Sequence, residues 1–406
     1  MKKVIILSLF ISISFSTLFA QNENQIIIGS IDSLYSNILG EQRKIWVHIP
    51  QSAERSSLEK YPVLYLLDGN GHFYSVTGMI RQLSIINSNW ICPEMIVVGI
   101  PNTDRNRDLT PSYTGDSINT SGGGEKFTAF LEKELIPYVD SNYPTEPYRT
   151  LVGHSRGGLF VVNTLINHPT IFNNYVAIDP SLRWDDQKLV KQAAIALEQE
   201  KFEDKSLYVA IASARNGMDT TTVQKDTTRA TLHIRSILQF SKIAAANNKN
   251  GLNFAWKYYN DENHGSIPLI AEYDALHFMF SWLKFNDWDK FYDPESNSTA
   301  QELVDLLTSH YEEVSNKFGY KVLYKKYIIN NLAYRFMNNK AYDKSYALFN
   351  LNIKNFPNSA NAYDSMGDYY ISQSDTIKAI EYLSKAVEIE ANPVSVTKLE
   401  KLNIGN

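Results

Sequence analysis

The sequence predicts an α/β protein built on a mostly parallel sheet, followed by an all-α segment. Three observations carry this. From Val63 to Leu283 short apolar runs alternate with helical patterns, the signature of a βαβ series. Within that series an apolar run leads into Gly153-His154-Ser155-Arg156-Gly157-Gly158, and a helical pattern follows at once. After Asp293-Pro294-Glu295-Ser296-Asn297-Ser298 strand signals vanish and the chain reads as helix to its end. The expected organisation is therefore residues 1–20 as a signal peptide, 21–292 as the α/β domain and 293–406 as a helical region.

Taken in order, Ile31 to Leu39 and Arg43 to Pro50 read as two antiparallel strands turning at Gly40-Glu41. Val63-Leu64-Tyr65-Leu66-Leu67 and Met95 to Ile100 are continuous apolar runs, as expected of parallel strands buried on both faces. A helix is expected over His72 to Ile86. Pro101 to Gly124 reads as one long loop, and loops of that length inside a compact domain are functional or mobile. Glu125 to Val139 is an amphipathic helical pattern. Strands are expected at Tyr175 to Ile178, Leu207 to Ala212 and Leu252 to Tyr259. Helices are expected at Asp186 to Glu200, Thr228 to Ala246 and Pro268 to Leu283, with a polar loop reaching Thr227. In the last region a period of about 34 residues aligns Leu332-Ala333 with Met366-Gly367, Ser345 with Ala379, Phe349 with Leu383, and Pro357 with Ala391. That is the tetratricopeptide spacing, with a plain helical-hairpin bundle as the alternative.

The chain has 406 residues, 44% of them apolar, and a net charge of −5. Mild acidity without a dense Lys/Arg run argues against a nucleic-acid partner. Met1-Lys2-Lys3 followed by an apolar run to Phe19 and a small residue, Ala20, reads as a secretory signal. The run is short for a membrane span and is broken by Ser12, Ser14 and Ser16, with an N-terminal anchor as the alternative. Cys92 is the single cysteine, so neither an intramolecular disulfide nor a cysteine metal cluster can form. An exported chain of this kind suits a bacterial periplasm or the medium.

The chemistry centres on Ser155. Gly-x-Ser-x-Gly between a strand and a helix is the nucleophile elbow, in which small flanking residues permit a turn tight enough to expose the serine. A serine hydroxyl needs a base, and the base an orienting acid. In α/β-hydrolases these follow in the order Ser, acid, His. His264 lies in a Gly-flanked turn after the last strand and is the expected base. His48 sits on an early strand, His168 ends the elbow helix and His277 lies within the last helix, where packing or surface roles are expected. The acid should follow the strand Leu207 to Ala212, where Asp219 is the nearest carboxylate and Asp226 the next; a merely polar orienter is the alternative. The oxyanion hole calls for two backbone N–H groups, expected from Arg156 after the nucleophile and Asn70 after the strand ending at Leu67. The side chain of Arg156 lies beside the site, where it contacts a negatively charged acyl group or covers the helix end. These residues imply no metal and no organic cofactor.

Leu66-Leu67-Asp68-Gly69, Arg107-Asp108-Leu109-Thr110-Pro111, the Gly153 to Gly158 turn, Asp179-Pro180-Ser181-Leu182-Arg183-Trp184 and Asn263-His264 together resemble the putative-esterase family of α/β-hydrolases. That family includes esterase D, feruloyl and acetylxylan esterases, mycolyltransferases and trilactone siderophore esterases. The Gly-His-Ser-Arg-Gly-Gly form and the Arg-Asp-Leu-Thr-Pro loop are most similar to the siderophore-esterase branch. The resemblance spans about Ile31 to Leu283 and implies an exported serine ester hydrolase with Ser155 and His264 as its reacting pair. Members often carry Ser-Pro-Ser and paired Trp after the strand that follows the elbow helix. Here Asp179 and Arg183 replace one Ser and one Trp, which alters the pocket wall. The resemblance leaves three alternatives: a feruloyl or acetyl esterase acting on a glycan, acyl transfer in place of hydrolysis, and a binding protein acting on a partner chain through its C-terminal helices.

Overall fold

The computed structural model describes residues 25–54, 59–115, 120–213, 218–247, 249–293 and 296–404. The stretch read as a signal peptide lies outside them, as do residues 294 and 295 of the linker. Among the described residues eight strands form one sheet: β1 (Ser30–Ser36), β2 (Glu41–His48), β3 (Tyr61–Leu67), β4 (Ile96–Ile100), β5 (Thr145–His154), β6 (Asn174–Ile178), β7 (Ser206–Ala212) and β8 (Asn253–Tyr259). Their order is β1-β2-β4-β3-β5-β6-β7-β8. β2 runs antiparallel to β1 and β4, and every other neighbouring pair is parallel.

The helices of the α/β part are α1 (Gly69–Ser84), α2 (Arg105–Leu109), α3 (Gly124–Phe130), α4 (Ile136–Asn142), α5 (Arg156–Asn167), α6 (Trp184–Gln199), α7 (Thr220–Lys225), α8 (Leu232–Ala246), α9 (Ile267–Met279) and α10 (Trp288–Tyr292). The C-terminal segment holds α11 (Ala300–Phe318), α12 (Lys326–Asn338), α13 (Tyr342–Asn355), α14 (Ala360–Ser372), α15 (Thr376–Ile389) and α16 (Pro393–Ile404). Among the described residues no helix is long and apolar enough to cross a membrane.

Side chains alternate across a strand, and the central strands feed two cores. Val63, Tyr65 and Leu67 of β3 point to one face with α3, α5, α6 and α8. Leu64 and Leu66 point to the other with α1 and α9. Both faces are therefore covered, which explains why the parallel strands read as unbroken apolar runs.

The expected loops turn out more ordered than their composition suggests. The Pro101 to Gly124 stretch contains α2, whose N-cap Asp104 accepts the Arg107 N–H through its side chain. The loop is tied down by charge. Arg107 binds Glu41 and Asp108, and Asp108 binds Arg43 at 2.7 Å, with Arg43 buried against the Phe127 and Phe130 rings. A buried arginine is tolerable only when paired in this way. The first hairpin turns earlier than expected, over residues 37–40. The Glu134 carboxylate accepts from Ser36 Oγ and from the Asn37 and Ile38 N–H groups, and Gly40 takes the positive φ of 70° that closes the turn.

α11 joins the two parts of the chain. It opens with a capping box between Thr299 and Glu302 and ends at Gly319 with φ 75°. Leu303 and Leu307 of its first half lie in the core of the helical segment with Phe285, Phe291 and Ile329. Val314 and Phe318 of its second half lie in the sheet's own core. Phe318 packs edge-on against Tyr148 at 5.0 Å and Trp282 at 4.9 Å. Beyond it the helices pair. α12 starts at Lys326 and α14 at Ala360, α13 at Tyr342 and α15 at Thr376, so each start recurs at the spacing read from the sequence. The aligned Leu332, Ala333, Met366, Ser345, Ala379, Phe349 and Leu383 are buried, whereas the aligned Pro357 and Ala391 are exposed. A Cβ on Gly367 would sit 2.7 Å from Leu383, so the α14–α15 crossing admits no side chain there.

Phe318→Ala leaves a cavity between the sheet and α11 and is expected to lower stability by about 3 kcal/mol. Calorimetry should show a clear fall in Tm; an unchanged Tm would mean that α11 does not pack on the sheet.

Candidate active site

The site lies at the carboxyl ends of the parallel strands, where ligands bind in such sheets. β5 ends at His154, and α5 begins at Arg156. Between them Ser155 holds φ 60° and ψ −113°, a strained conformation for a residue with a side chain. The Ser155 N–H donates to the Ile178 carbonyl, while its own carbonyl accepts from Leu159 and Ser181. The glycines make the turn possible. A Cβ on Gly153 would sit 2.5 Å from the Gly157 carbonyl group, and one on Gly158 would sit 2.9 Å from Pro180. Ser155 Oγ is thus presented above the sheet, at the positive end of α5.

His264 comes from the turn after β8. Its Nε2 lies 3.1 Å from Ser155 Oγ. On the other side of the ring, Nδ1 donates to Oδ2 of Asp179. The structure brings Ser155 and His264 together as the sequence leads one to expect, but the carboxylate is a different one. Asp219, the expected acid, caps α7 by accepting the Thr222 N–H at 2.7 Å. Asp226 accepts from the N–H and hydroxyl of Thr228. Both carboxylates are spent on exposed local turns and neither is bonded to His264. Asp179 follows β6, one strand before the expected position, and its Oδ1 accepts the N–H of Ala212 at the end of β7. Because β6 and β7 are paired neighbours, a carboxylate from either strand end can occupy this place. The chain order Ser, acid, His is kept.

Asp179 is 1% exposed. Burial pushes its carboxyl pKa up, but hydrogen bonds from His233 and His264 and the Ala212 N–H more than offset this and hold it well below the usual carboxylate range. The site therefore contains a fixed negative charge behind His264. His154 lies beside it, its ring 4.5 Å from that of His264. Burial and the neighbouring His264 lower its pKa to about 4, so it stays neutral at pH 7. Asp179, His233 and His264 offer three ligand atoms within 4.8 Å of one another. In this geometry two imidazoles share one carboxylate oxygen as acceptor, His233 Nε2 at 3.0 Å.

The turn after β3 faces the same end of the sheet, next to β5. Asp68 has φ 53°, and α1 starts immediately after it. A Cβ on Gly69 would clash with Gly99 and Ile100 at 2.5–2.7 Å, so only glycine fits. Asn70 and Arg156 both lie in the first turn of a helix, where N–H groups have no partner within the helix. Asp68 is held by Arg105 in a bidentate pair at 2.6 and 2.9 Å, and Arg105 also donates to the His154 carbonyl. The Arg156 guanidinium lies over the Trp184 ring at 5.7 Å. Burial lowers its pKa, and so do the like charges of Arg105 and Arg183.

A hydroxyl, an imidazole and a buried carboxylate in hydrogen-bonded series, at a strand–turn–helix elbow on a parallel sheet, define a serine hydrolase of the α/β-hydrolase class. A model of the Putative esterase family matches residues 36–266. The chain belongs to that family, and it is a serine esterase. Ferri-bacillibactin esterase BesA of Bacillus subtilis is 25% identical over 255 residues, which cover 59% of this chain and 85% of that protein. Siderophore enterobactin esterase of Emericella nidulans is 30% identical over 149 residues, 32% of this chain and 49% of the relative, so that match spans about half of its length. Among solved structures, an IroE-like serine hydrolase from Shewanella oneidensis superposes with a TM-score of 0.66 at 28% identity, over 80% of this chain and 98% of that one. An uncharacterised protein from Capnocytophaga ochracea has a TM-score of 0.62 at 17% identity, over 93% of this chain and 99% of that one. The last shares the fold across nearly the whole chain, C-terminal helices included.

The two aspartates separate cleanly by mutation. Asp179→Asn is expected to lower kcat by roughly ten-thousandfold, as loss of the orienting acid does in serine hydrolases. Asp219→Asn should stay within about twofold of wild type. Steady-state kinetics on an activated aryl ester checks both.

Proposed function

We propose that this chain is an exported esterase that hydrolyses siderophore lactones through an acyl-enzyme at Ser155. The observation that carries the mechanism is the continuous series Ser155 Oγ, His264, Asp179 at the elbow. Ser155 Oγ attacks the ester carbonyl carbon while His264 Nε2 takes its proton. The N–H groups of Asn70 and Arg156 hold the oxyanion, and Asp179 stabilises the imidazolium. Collapse of the tetrahedral intermediate breaks the ester bond, and the alcohol leaves with the proton from His264. Water then gives a proton to His264 as it attacks the acyl carbon, and the bond to Ser155 Oγ breaks as His264 returns that proton to Oγ, releasing the acid.

The substrate class rests on two supports. Relatives named for ferri-bacillibactin, enterobactin and triacetylfusarinine C esterase activity match 59%, 32% and 34% of this chain. Arg156 also follows the nucleophile directly, its guanidinium lies over Trp184, and it feels the like charges of Arg105 and Arg183, a setting that favours an anionic acyl group. The proposal of export rests on the signal-like composition of Met1 to Ala20, which supports a location in the periplasm or the medium.

A substrate panel tests this reading: a tri-catecholate trilactone, free and iron-loaded, beside feruloylated and acetylated sugars. The trilactone is expected to give the highest kcat/KM, and Ser155→Ala is expected to remove at least roughly a thousandfold of the activity. Faster cleavage of a sugar ester would assign the site to glycan esters instead.

A further inference from the structure

His233 plays no part in the reaction steps above, yet it reaches the same carboxylate oxygen as His264. Its Nε2 lies 3.0 Å from Asp179 Oδ2. The two imidazole rings meet edge to face at 5.5 Å and 82°. Asp179 thus accepts three N–H groups: Ala212 on Oδ1, and His233 and His264 on Oδ2.

These three donors stand on very different supports. His264 sits in a turn with its side chain 50% exposed, so it is itself only loosely held by its surroundings. It cannot also be the anchor that aims Asp179. Ala212 fixes only the oxygen facing away from the histidine. His233 lies in the first turn of α8, whose Ile234, Ile237, Leu238 and Phe240 are buried in the sheet's core. It is the donor on Oδ2 that is mounted on a rigid element. A carboxylate held at both oxygens cannot rotate about its last bond, and functional groups gain precision when secondary partners lock them in this way.

We infer that His233 is a positioning residue: it holds Asp179 Oδ2 in line with His264 Nδ1, so that His264 keeps the tautomer and orientation needed to take the proton of Ser155. The inference rests on the reading of Ser155, His264 and Asp179 as the reacting series. For this role the Nε2 of His233 must carry a hydrogen. The function belongs to that donor and not to the bulk of the ring, and two substitutions divide the two. Glutamine places an N–H donor near the position of Nε2. Phenylalanine keeps a ring of similar size and has no donor.

The test is steady-state kinetics on p-nitrophenyl butyrate for wild type, His233→Gln, His233→Phe, Asp179→Asn and Ser155→Ala, with thermal melts confirming that each is folded. In His233→Phe, kcat is expected to fall by roughly tenfold to a hundredfold with KM within about twofold. In His233→Gln, kcat should recover to within about fivefold of wild type. Wild-type kcat in His233→Phe, or a loss in His233→Gln equal to that in His233→Phe, overturns the inference, because a role in packing alone gives those results. The controls keep the two failures apart. If Asp179→Asn or Ser155→Ala retains wild-type kcat, the reacting series itself is wrong. If both controls are crippled while His233→Phe is not, only the role of His233 falls.

Discussion

The buried carboxylate of Asp179 is the group on which the rest of the site depends. A carboxylate so deeply enclosed stays ionised only because N–H donors surround it. Those donors come from the end of β7, the start of α8 and the turn after β8, so one side chain ties three elements into a single frame. Ser155 is bound into the same frame through its backbone, by the Ile178 carbonyl one residue before Asp179 and by the Ser181 N–H two residues after it. The strain at Ser155 is sustained by this surrounding network, and the network is what lines up hydroxyl, imidazole and carboxylate without any rearrangement of the backbone.

Much of this was legible in the sequence. The apolar runs locate the parallel strands because each is buried on both faces. The elbow is legible because Gly153 allows the tight backbone approach expected of it; the second such position is Gly158 and not the expected Gly157, where a Cβ would meet the Asp68 side chain at 3.3 Å. His264 is legible because a histidine after the last strand of such a series falls at the strands' carboxyl ends. The carboxylate that reaches His264 was not legible. Sequence order places it after Leu207 to Ala212, and the nearest aspartate in that loop is Asp219. Only the sheet shows that the ends of β6 and β7 lie side by side, so that a carboxylate one strand earlier reaches the same point. The signal was present in the replacement of a family serine by Asp179, where it reads as a change of pocket wall. His233 carried no signal at all, since its place depends on how α8 returns over the sheet.

The C-terminal helices are joined to the α/β part by more than a linker. α11 contributes side chains to both cores, so the two parts of the chain share a buried interface. The Arg107 to Pro111 loop has a similar lesson. In sequence it is part of a long loop and of the family resemblance, and in the structure Arg107 and Asp108 fasten that loop to the first hairpin while Arg105 neutralises Asp68 in the turn after β3. Polar residues near a site often serve it by holding its walls, and their pairing partners, not their proximity, tell the two roles apart.

The most direct measurement is active-site labelling with a fluorophosphonate followed by peptide mapping in the mass spectrometer. If Ser155, His264 and Asp179 act as proposed, the serine is activated and one phosphonylated peptide is expected, carrying the adduct on Ser155. A folded protein that takes up no label, or takes it up at another residue, would contradict the central claim that Ser155, His264 and Asp179 form the reacting series.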